Sequence, residues 1–395
     1  MKTHGRAAAL VLCLAATPAM ADEPPLSPVA LGRIDAHVHF FADARPVLEV
    51  LDRLNVTGVN ICVVDRYDPG YETAPPQHEM ARRLARASGG RLPWIAALDD
   101  VTFASPGFAS RAIAELDRAL AQGARGVKIY KSMGMELRRP DGAYVLPDDP
   151  VFEPIFAALA RRGTTVYAHL AEPLAAWQPL DPQSPDYGYY KNNPAWYVHG
   201  RAGVPSKEAI LAARDRLLEK NPRLRVVGCH LGSMEEDVDD IARRLDRYPN
   251  FAVDTAARVV HLMRQPREKV RAFLIRYQDR VLYGTDIGII PGEDAAKVAR
   301  KLEERYARDW AYFATAQEVE DEGHAVTGLA LPPDVLRKLF RENAVRWVPG
   351  ILTAAEQRVP WRGRGGSPPR SLARPRSSSS TRPGPWWSRG RWPSG

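Results

Sequence analysis

Ile34-Asp35-Ala36-His37-Val38-His39 is a short apolar run that carries two histidines two residues apart. A β-strand alternates its faces with period two, so His37 and His39 share one face while Ile34, Ala36 and Val38 take the other. A lone histidine is more often a satisfied structural residue. Two on one inward face each need a partner, and imidazole is a common protein ligand for zinc. The pair reads as half of a metal site at the end of a strand.

Outward from this run, apolar strand candidates recur at 57–64, 93–98, 124–130, 164–170, 224–230, 251–256 and 281–286. Amphipathic stretches separate them, at about 44–54, 77–88, 109–122, 150–162, 206–220, 235–247, 267–277 and 294–313. Eight strands each followed by a helix predict an α/β fold of the TIM (β/α)8 type in a single domain. An open doubly wound sheet would more often show a Gly-rich phosphate loop after an early strand, and the sequence has none. Residues 172–205 form a long Pro- and aromatic-rich insertion after the fifth strand, read either as a lid or as a loop packed on its own aromatics.

Barrel active sites lie at the C-terminal ends of the strands. Of nine histidines, His37, His39, His169 and His230 fall at such ends, and Asp286 ends the eighth run. His78, His199, His261 and His324 lie in helices or loops. Four imidazoles and a carboxylate on one rim have the composition of a metal-activated reaction centre.

These residues carry a family resemblance. The Asp35-Ala36-His37-Val38-His39 opening resembles that of the amidohydrolase superfamily, together with His169, Gly228-Cys229-His230-Leu231-Gly232, Pro249 to Thr255 and Tyr283-Gly284-Thr285-Asp286. Within it, the chain is similar from about Arg33 to Val348 to the amidohydrolase-related branch that includes aminocarboxymuconate-semialdehyde decarboxylase. The resemblance implies a distorted TIM barrel with a divalent metal, usually zinc. It implies ligation by His37, His39, His169 and Asp286, with His230 nearby as a catalytic group. In the hydantoinase-like branch a lysine on the fourth strand is carboxylated and bridges two metals.

Lys128 stands at that place. In Gly126-Val127-Lys128-Ile129-Tyr130-Lys131, Val127 and Ile129 face the helices, which turns Lys128 inward with Tyr130. A buried unpaired ammonium is costly, so Lys128 either becomes a carboxylated bridge, pairs with Glu172 or contacts substrate. One or two metals both remain open. Arg258, just past the seventh strand, reads as a fork for a substrate carboxylate or as a surface ion pair. Tyr130 and Glu172 are further candidates for substrate contact, and Asp254 reads as a polar support behind the ligands.

The expected chemistry is hydrolysis of an amide, ester or lactone of a small molecule. Zinc would activate water at neutral pH, Asp286 would carry its proton, and His230 would polarise the substrate carbonyl. Non-oxidative decarboxylation of an aromatic or unsaturated acid is the alternative, and a binding protein that keeps the barrel without turnover is a third possibility.

The formal charge of +8 at first suggests a nucleic-acid partner. Residues 351–395, however, hold nine Arg, no Lys and the single acid Glu356, which accounts for the whole excess. The other 350 residues are neutral, so neither nucleic acid nor an acidic surface is implied as a partner. That tail, low in complexity from Arg362 on, cannot bury enough apolar surface to fold. At the other end, Lys2 and Arg6, the apolar run Ala7 to Ala16 and Ala19-Met20-Ala21 have the layout of a signal peptide cleaved after Ala21. Export to the periplasm or beyond is expected, with no stable membrane anchor, because no run reaches about 18 apolar residues. Cys62 and Cys229 sit in different apolar runs and read as buried thiols. A homo-oligomer is compatible with all of this.

Overall fold

The computed structural model describes residues 26–42, 45–67, 71–321 and 323–352. The expected signal peptide and the tail from residue 353 lie outside them. Among the described residues, one parallel sheet runs in sequence order: β1 (Ile34–Phe40), β2 (Thr57–Ile61), β3 (Trp94–Ala97), β4 (Gly126–Ile129), β5 (Thr165–Ala168), β6 (Val226–Gly228), β7 (Phe251–Asp254) and β8 (Val281–Leu282). A ninth short strand, β9 (Gly288–Ile289), pairs with β1. The chain from β8 to β9 is in effect one strand broken at Asp286, whose φ is +66°. Tyr283 O accepts from Ala36 N–H at 2.8 Å, His37 O accepts from Asp286 N–H at 2.8 Å, and Ile287 O accepts from His39 N–H at 3.0 Å. These bonds close the curled sheet on β1. The eight expected helices form between the strands within a few residues of the periodicity reading.

β1 departs from strict alternation. Ile34 and Ala36 pack with the barrel-interior residues Val59, Ile95, Val227 and Ala252, whereas Val38 joins the layer between sheet and helices. The expectation that Ile34, Ala36 and Val38 share a face therefore fails. The β1–β2 register shifts between Asp35 and Val38, and such a bulge lets two consecutive residues, Ala36 and His37, point inward. Gly284 faces the same spot: a Cβ there would lie 2.9 Å from the His37 Cβ, so only glycine lets β8 run beside the histidine.

The N-terminal mouth of the barrel is plugged by a helix absent from the strand–helix count, Asn343–Trp347, with the residues that follow. Trp347, Val348, Ile351 and Leu352 join the interior cluster of Ile34, Ile61 and Leu282. Burying each such side chain contributes about 1.5–3 kcal/mol, so this plug is integral to the core. Ile351 and Leu352, the first two residues of the basic C-terminal stretch, thus pack in the barrel interior. An antiparallel hairpin, β10 (Glu318–Asp321) with β11 (His324–Thr327), is also added outside the barrel. No described helix is long and apolar enough to cross a membrane.

Asp100, just past β3, is buried, and one side-chain hydrogen bond, from Ser132 Oγ at 2.6 Å, supports it. Burial pushes its carboxyl from 3.8 up to about 7. Between about pH 4 and pH 7 the folded state thus holds a proton that the unfolded chain has lost, and this group's effect on stability worsens as pH rises through that window. Asp100→Asn is expected to raise the unfolding free energy at pH 8 and to flatten its decline from pH 5. Denaturant titrations at both pH values read this out, and an unchanged gap between them would refute it.

Candidate metal centre

The polar residues predicted from strand ends converge at the C-terminal mouth. His37 Nδ1 lies 2.8 Å from Asp254 Oδ2, a carboxylate at the end of β7. Burial pushes the Asp254 carboxyl up, but His37 and His230 outweigh that and hold it below its ordinary value, so it is ionised and can only accept. His37 therefore carries its proton on Nδ1 and presents a lone pair on Nε2. His39 Nδ1 lies 2.7 Å from the Ile61 carbonyl, which also can only accept, so a neutral His39 ring likewise presents a lone pair on Nε2.

The two Nε2 atoms stand 3.2 Å apart, and Asp286 Oδ1 lies 3.3 Å from each. Burial raises the Asp286 carboxyl, yet His230, His39 and His37 hold it well below its usual range. With both rings neutral, three acceptors meet here with no proton between them, an arrangement that repels itself without a cation. Neutral imidazole and carboxylate are the donors a divalent zinc-like ion prefers, so the residues fit the group. Burial keeps His37, His169 and His230 neutral by lowering their pKa values, with Lys128 adding to the shift of His37 and His230 to that of His169.

Asp254 supports more than His37. Its Oδ1 accepts from the backbone N–H of His230 at 2.8 Å and of Ala256 at 3.2 Å. His230 itself has a φ of +58°, strain this carboxylate helps to hold. Asp254→Asn keeps the shape but removes the charge that fixes the His37 tautomer. It is expected to weaken metal binding about 10–100-fold, measured by competition with a chromogenic chelator.

The other predicted residues are placed as follows. His230 Nδ1 donates to Ala256 O at 3.0 Å, leaving Nε2 without a proton. His169 Nε2 is buried with no hydrogen-bond partner, and its ring centroid lies 4.2 Å from that of His230. Among the described residues, groups of three metal-type donors with all ligand atoms within 4.8 Å are His37/His39/Asp286 and His37/Cys229/Asp254. His169 joins neither, and instead pairs with His230.

Lys128 is buried and inward as expected, its Nζ 3.2 Å from Cys229 Sγ and 3.5 Å from His37 Nε2. Of the alternatives open to it, pairing with Glu172 is not formed. Glu172 pairs with Lys131, because β4 ends at Ile129 and Lys131 emerges at the rim beside Glu172, while Lys128 stays one layer deeper. Tyr130 donates to Asp65 Oδ2 at 2.9 Å and packs edge-on to His169. Arg258 is not a surface residue: its side chain is 12% exposed and its Nε lies 3.8 Å from buried Glu235. Sequence reasoning did not single out Asp65, Lys131 or Glu235; their one signal was position, each in a segment that leads from a strand to the next long helix.

Among solved structures, the chain resembles 2,6-dihydroxybenzoate decarboxylase from Rhizobium at 17% identity, covering 80% of this chain and 98% of that one, with a TM-score of 0.47. It also resembles a probable 2-pyrone-4,6-dicarboxylic acid hydrolase from Acinetobacter baumannii at 13% identity, over 80% of this chain and 99% of that one, TM-score 0.44. A third, 4-oxalomesaconate hydratase from Rhodopseudomonas palustris, is 13% identical over 80% of this chain and 95% of that one, TM-score 0.45. These resemblances name three reactions and select none of them. A search of curated proteins returned no match. The sequence model of the amidohydrolase family matches residues 34–350, and the chain belongs to that family.

Proposed function

We propose that the chain is a metal-dependent hydrolase that opens an amide, ester or lactone bond of a small molecule, with zinc as its ion. The observation that carries this reading is the triangle of His37 Nε2, His39 Nε2 and Asp286 Oδ1, three proton-free acceptors held by buried partners. A divalent cation held by these residues supplies Lewis acidity toward water and a substrate carbonyl. Asp286 is placed to take the proton of an attacking water and to return it to the leaving group. His230 departs from its expected role. With its proton on Nδ1 and its ring neutral, Nε2 cannot donate to a carbonyl, so His230 acts as a proton acceptor or as a ligand.

That orientation favours a second reading within the same function. His169, with its Nε2 unpartnered, stands beside His230 next to the first trio, and Lys128 Nζ points between Cys229 and His37. A second cation held by His169 and His230, with a carboxylated Lys128 as a further ligand, would give the orphaned His169 Nε2 a partner. Metal stoichiometry and an intact mass higher by one CO2 test it; one metal and an unmodified Lys128 would exclude it.

The reaction itself is tested on zinc- and manganese-loaded protein. Aryl lactones, aryl esters and N-acyl amino acids are assayed for hydrolysis, and hydroxybenzoates for CO2 release. Chelator-sensitive hydrolysis supports the proposal, CO2 release without hydrolysis assigns the decarboxylase alternative, and activity indifferent to chelation sinks both. Export is part of the same reading, and a mature N-terminus at Asp22 on protein recovered outside the cytoplasm would establish it.

A further inference from the structure

The chain leaves β6 through a run of left-handed backbone. His230, Leu231, Gly232 and Ser233 have φ of +58°, +56°, +65° and +55°. In this region the Cβ of an L-residue crowds the following carbonyl oxygen, so residues with side chains enter it singly and not in runs. Such a run persists only where its surroundings over-determine it. Within the turn, His230 O accepts from Ser233 N–H at 3.0 Å and Leu231 O from Met234 N–H at 3.3 Å. From outside, Asp254 Oδ1 holds the first residue through His230 N–H at 2.8 Å, and Ser233 Oγ donates to Ala171 O at 3.3 Å.

The far end of the turn is also held from the helix layer. Arg214, in the helix Lys207–Lys220, donates from Nη1 to Gly232 O at 2.6 Å. Its guanidinium lies 4.8 Å from the centroid of the Phe251 ring. The turn is pressed against the same ring, since a Cβ at Gly228 would lie 2.7 Å from it. An ion pair alone does not account for this placement. Arg214 donates from Nε and Nη2 to Asp215 Oδ1 at 3.1 and 2.9 Å, but Arg244 Nε also reaches Asp215, at 3.3 Å, and does so from a side chain 25% exposed. Arg214 is 1% exposed, and burying a guanidinium carries a desolvation cost that a surface pair avoids. What burial adds is the bond to Gly232 O, the face of Phe251 and Met234 Sδ at 3.6 Å, all in or against the turn.

We infer that Arg214 is a positioning residue for His230: by holding Gly232 O it keeps the left-handed turn closed, and the turn aims the His230 ring at the metal centre. From this backbone His230 Nδ1 donates to Ala256 O at 3.0 Å, and the ring stands 5.0 Å from that of His37 and 4.2 Å from that of His169, centroid to centroid. Relaxation to right-handed dihedrals turns the side chain elsewhere, because the backbone sets the direction of Cβ. A residue of the outer helix layer thereby acts on the centre without touching it. The inference takes from the hydrolase reading only that His230 acts there, and the placement of the ring is measured without turnover.

The test follows the His230 Nδ1 proton by magnetic resonance in the zinc-loaded full chain carrying nitrogen-labelled histidine. Its resonance is assigned by its loss in His230→Asn, since asparagine accepts a left-handed φ. In wild type this proton is buried against Ala256 O and is expected to exchange slowly with solvent. Arg214→Met leaves Gly232 O without this donor and is expected to speed exchange at least about tenfold. Arg214→Lys, which keeps a donor on a shorter stem, should fall between the two. Asp215→Asn removes the ion pair but not the bond to Gly232 O, and should leave exchange within about twofold of wild type. Denaturant unfolding of each variant supplies the comparison. A purely structural Arg214 predicts that exchange follows global stability in all three variants, and that pattern would overturn the proposal. Unchanged exchange in Arg214→Met, or a wild-type proton that exchanges as fast as an exposed imidazole, would overturn it too. Should Arg214→Met not fold, Arg214→Gln, polar but too short to keep the bond, is held to the same outcomes. Failure here leaves the hydrolase reading standing, and absent hydrolysis leaves the exchange measurement decisive.

Discussion

Asp286→Asn is expected to lower kcat/KM for the metal-dependent reaction by about 10²–10⁴-fold, the usual contribution of a positioned acid–base group. The substitution is nearly isosteric, and asparagine tolerates the +66° φ of this position as aspartate does. The backbone bond from residue 286 N–H to His37 O at 2.8 Å is kept, so the break between β8 and β9 survives. What is lost is the negative charge that faces both His37 Nε2 and His39 Nε2 and the capacity to hold a proton in transit. Metal content of the variant separates the two losses. A variant that keeps its metal but loses turnover assigns the proton-transfer role, and one that loses both assigns Asp286 chiefly to ligation. Retention of more than about a tenth of wild-type kcat/KM with metal bound would remove Asp286 from the chemistry.

Most of the barrel was legible because its signal is periodic. Alternating apolar runs and amphipathic stretches report burial directly, and the strands and helices formed where those patterns lay. The features that escaped are set by packing and not by pattern. The bulge in β1 adds no turn residue, yet it brings Ala36 and His37 to the same side. The break at Asp286 depends on a positive φ that Tyr283-Gly284-Thr285-Asp286 does not announce. The helix Asn343–Trp347 looks like any amphipathic segment, and only the open lower mouth of the barrel gives its apolar face a destination.

The site divides in the same way. His37, His39, His169, His230 and Asp286 could be found because strand ends in a barrel share one rim. Which atoms carry protons could not be read, since this depends on Asp254, Ile61 O and Ala256 O standing behind the rings. His230 shows the consequence: its position was predicted, but its tautomer opposes the donor role expected for it. Lys128 and Lys131, three residues apart, could not be told apart as partners of Glu172 from spacing alone, because the strand ends between them.

Lys131→Met is expected to destabilise the protein by about 3–5 kcal/mol, the cost of leaving a buried carboxylate without its cation. Both partners are buried, with side chains 1% and 2% exposed. The Lys131 ammonium bonds Glu172 and Tyr189 and lies 4.2 Å from the centroid of the Trp196 ring, with the Tyr130 and Tyr189 rings 5.3 Å away. Without it, Glu172 keeps the Tyr190 hydroxyl as its side-chain donor, too little to replace solvent. Glu172→Met should cost a similar amount by stranding the ammonium, although the three rings soften that loss. The double variant Lys131→Met/Glu172→Met leaves no charge unpaired and is expected to recover most of the loss, because a buried ion pair often adds little over apolar side chains of similar volume. Denaturant unfolding of all four proteins closes the cycle, and additive single losses would mean that the two residues act separately. The barrel core is untouched by these changes, so the pair's second role is also measurable. If it clasps the insertion, the double variant folds yet exposes residues 172–205 to protease faster than wild type, and equal cleavage rates would confine the pair to stability alone.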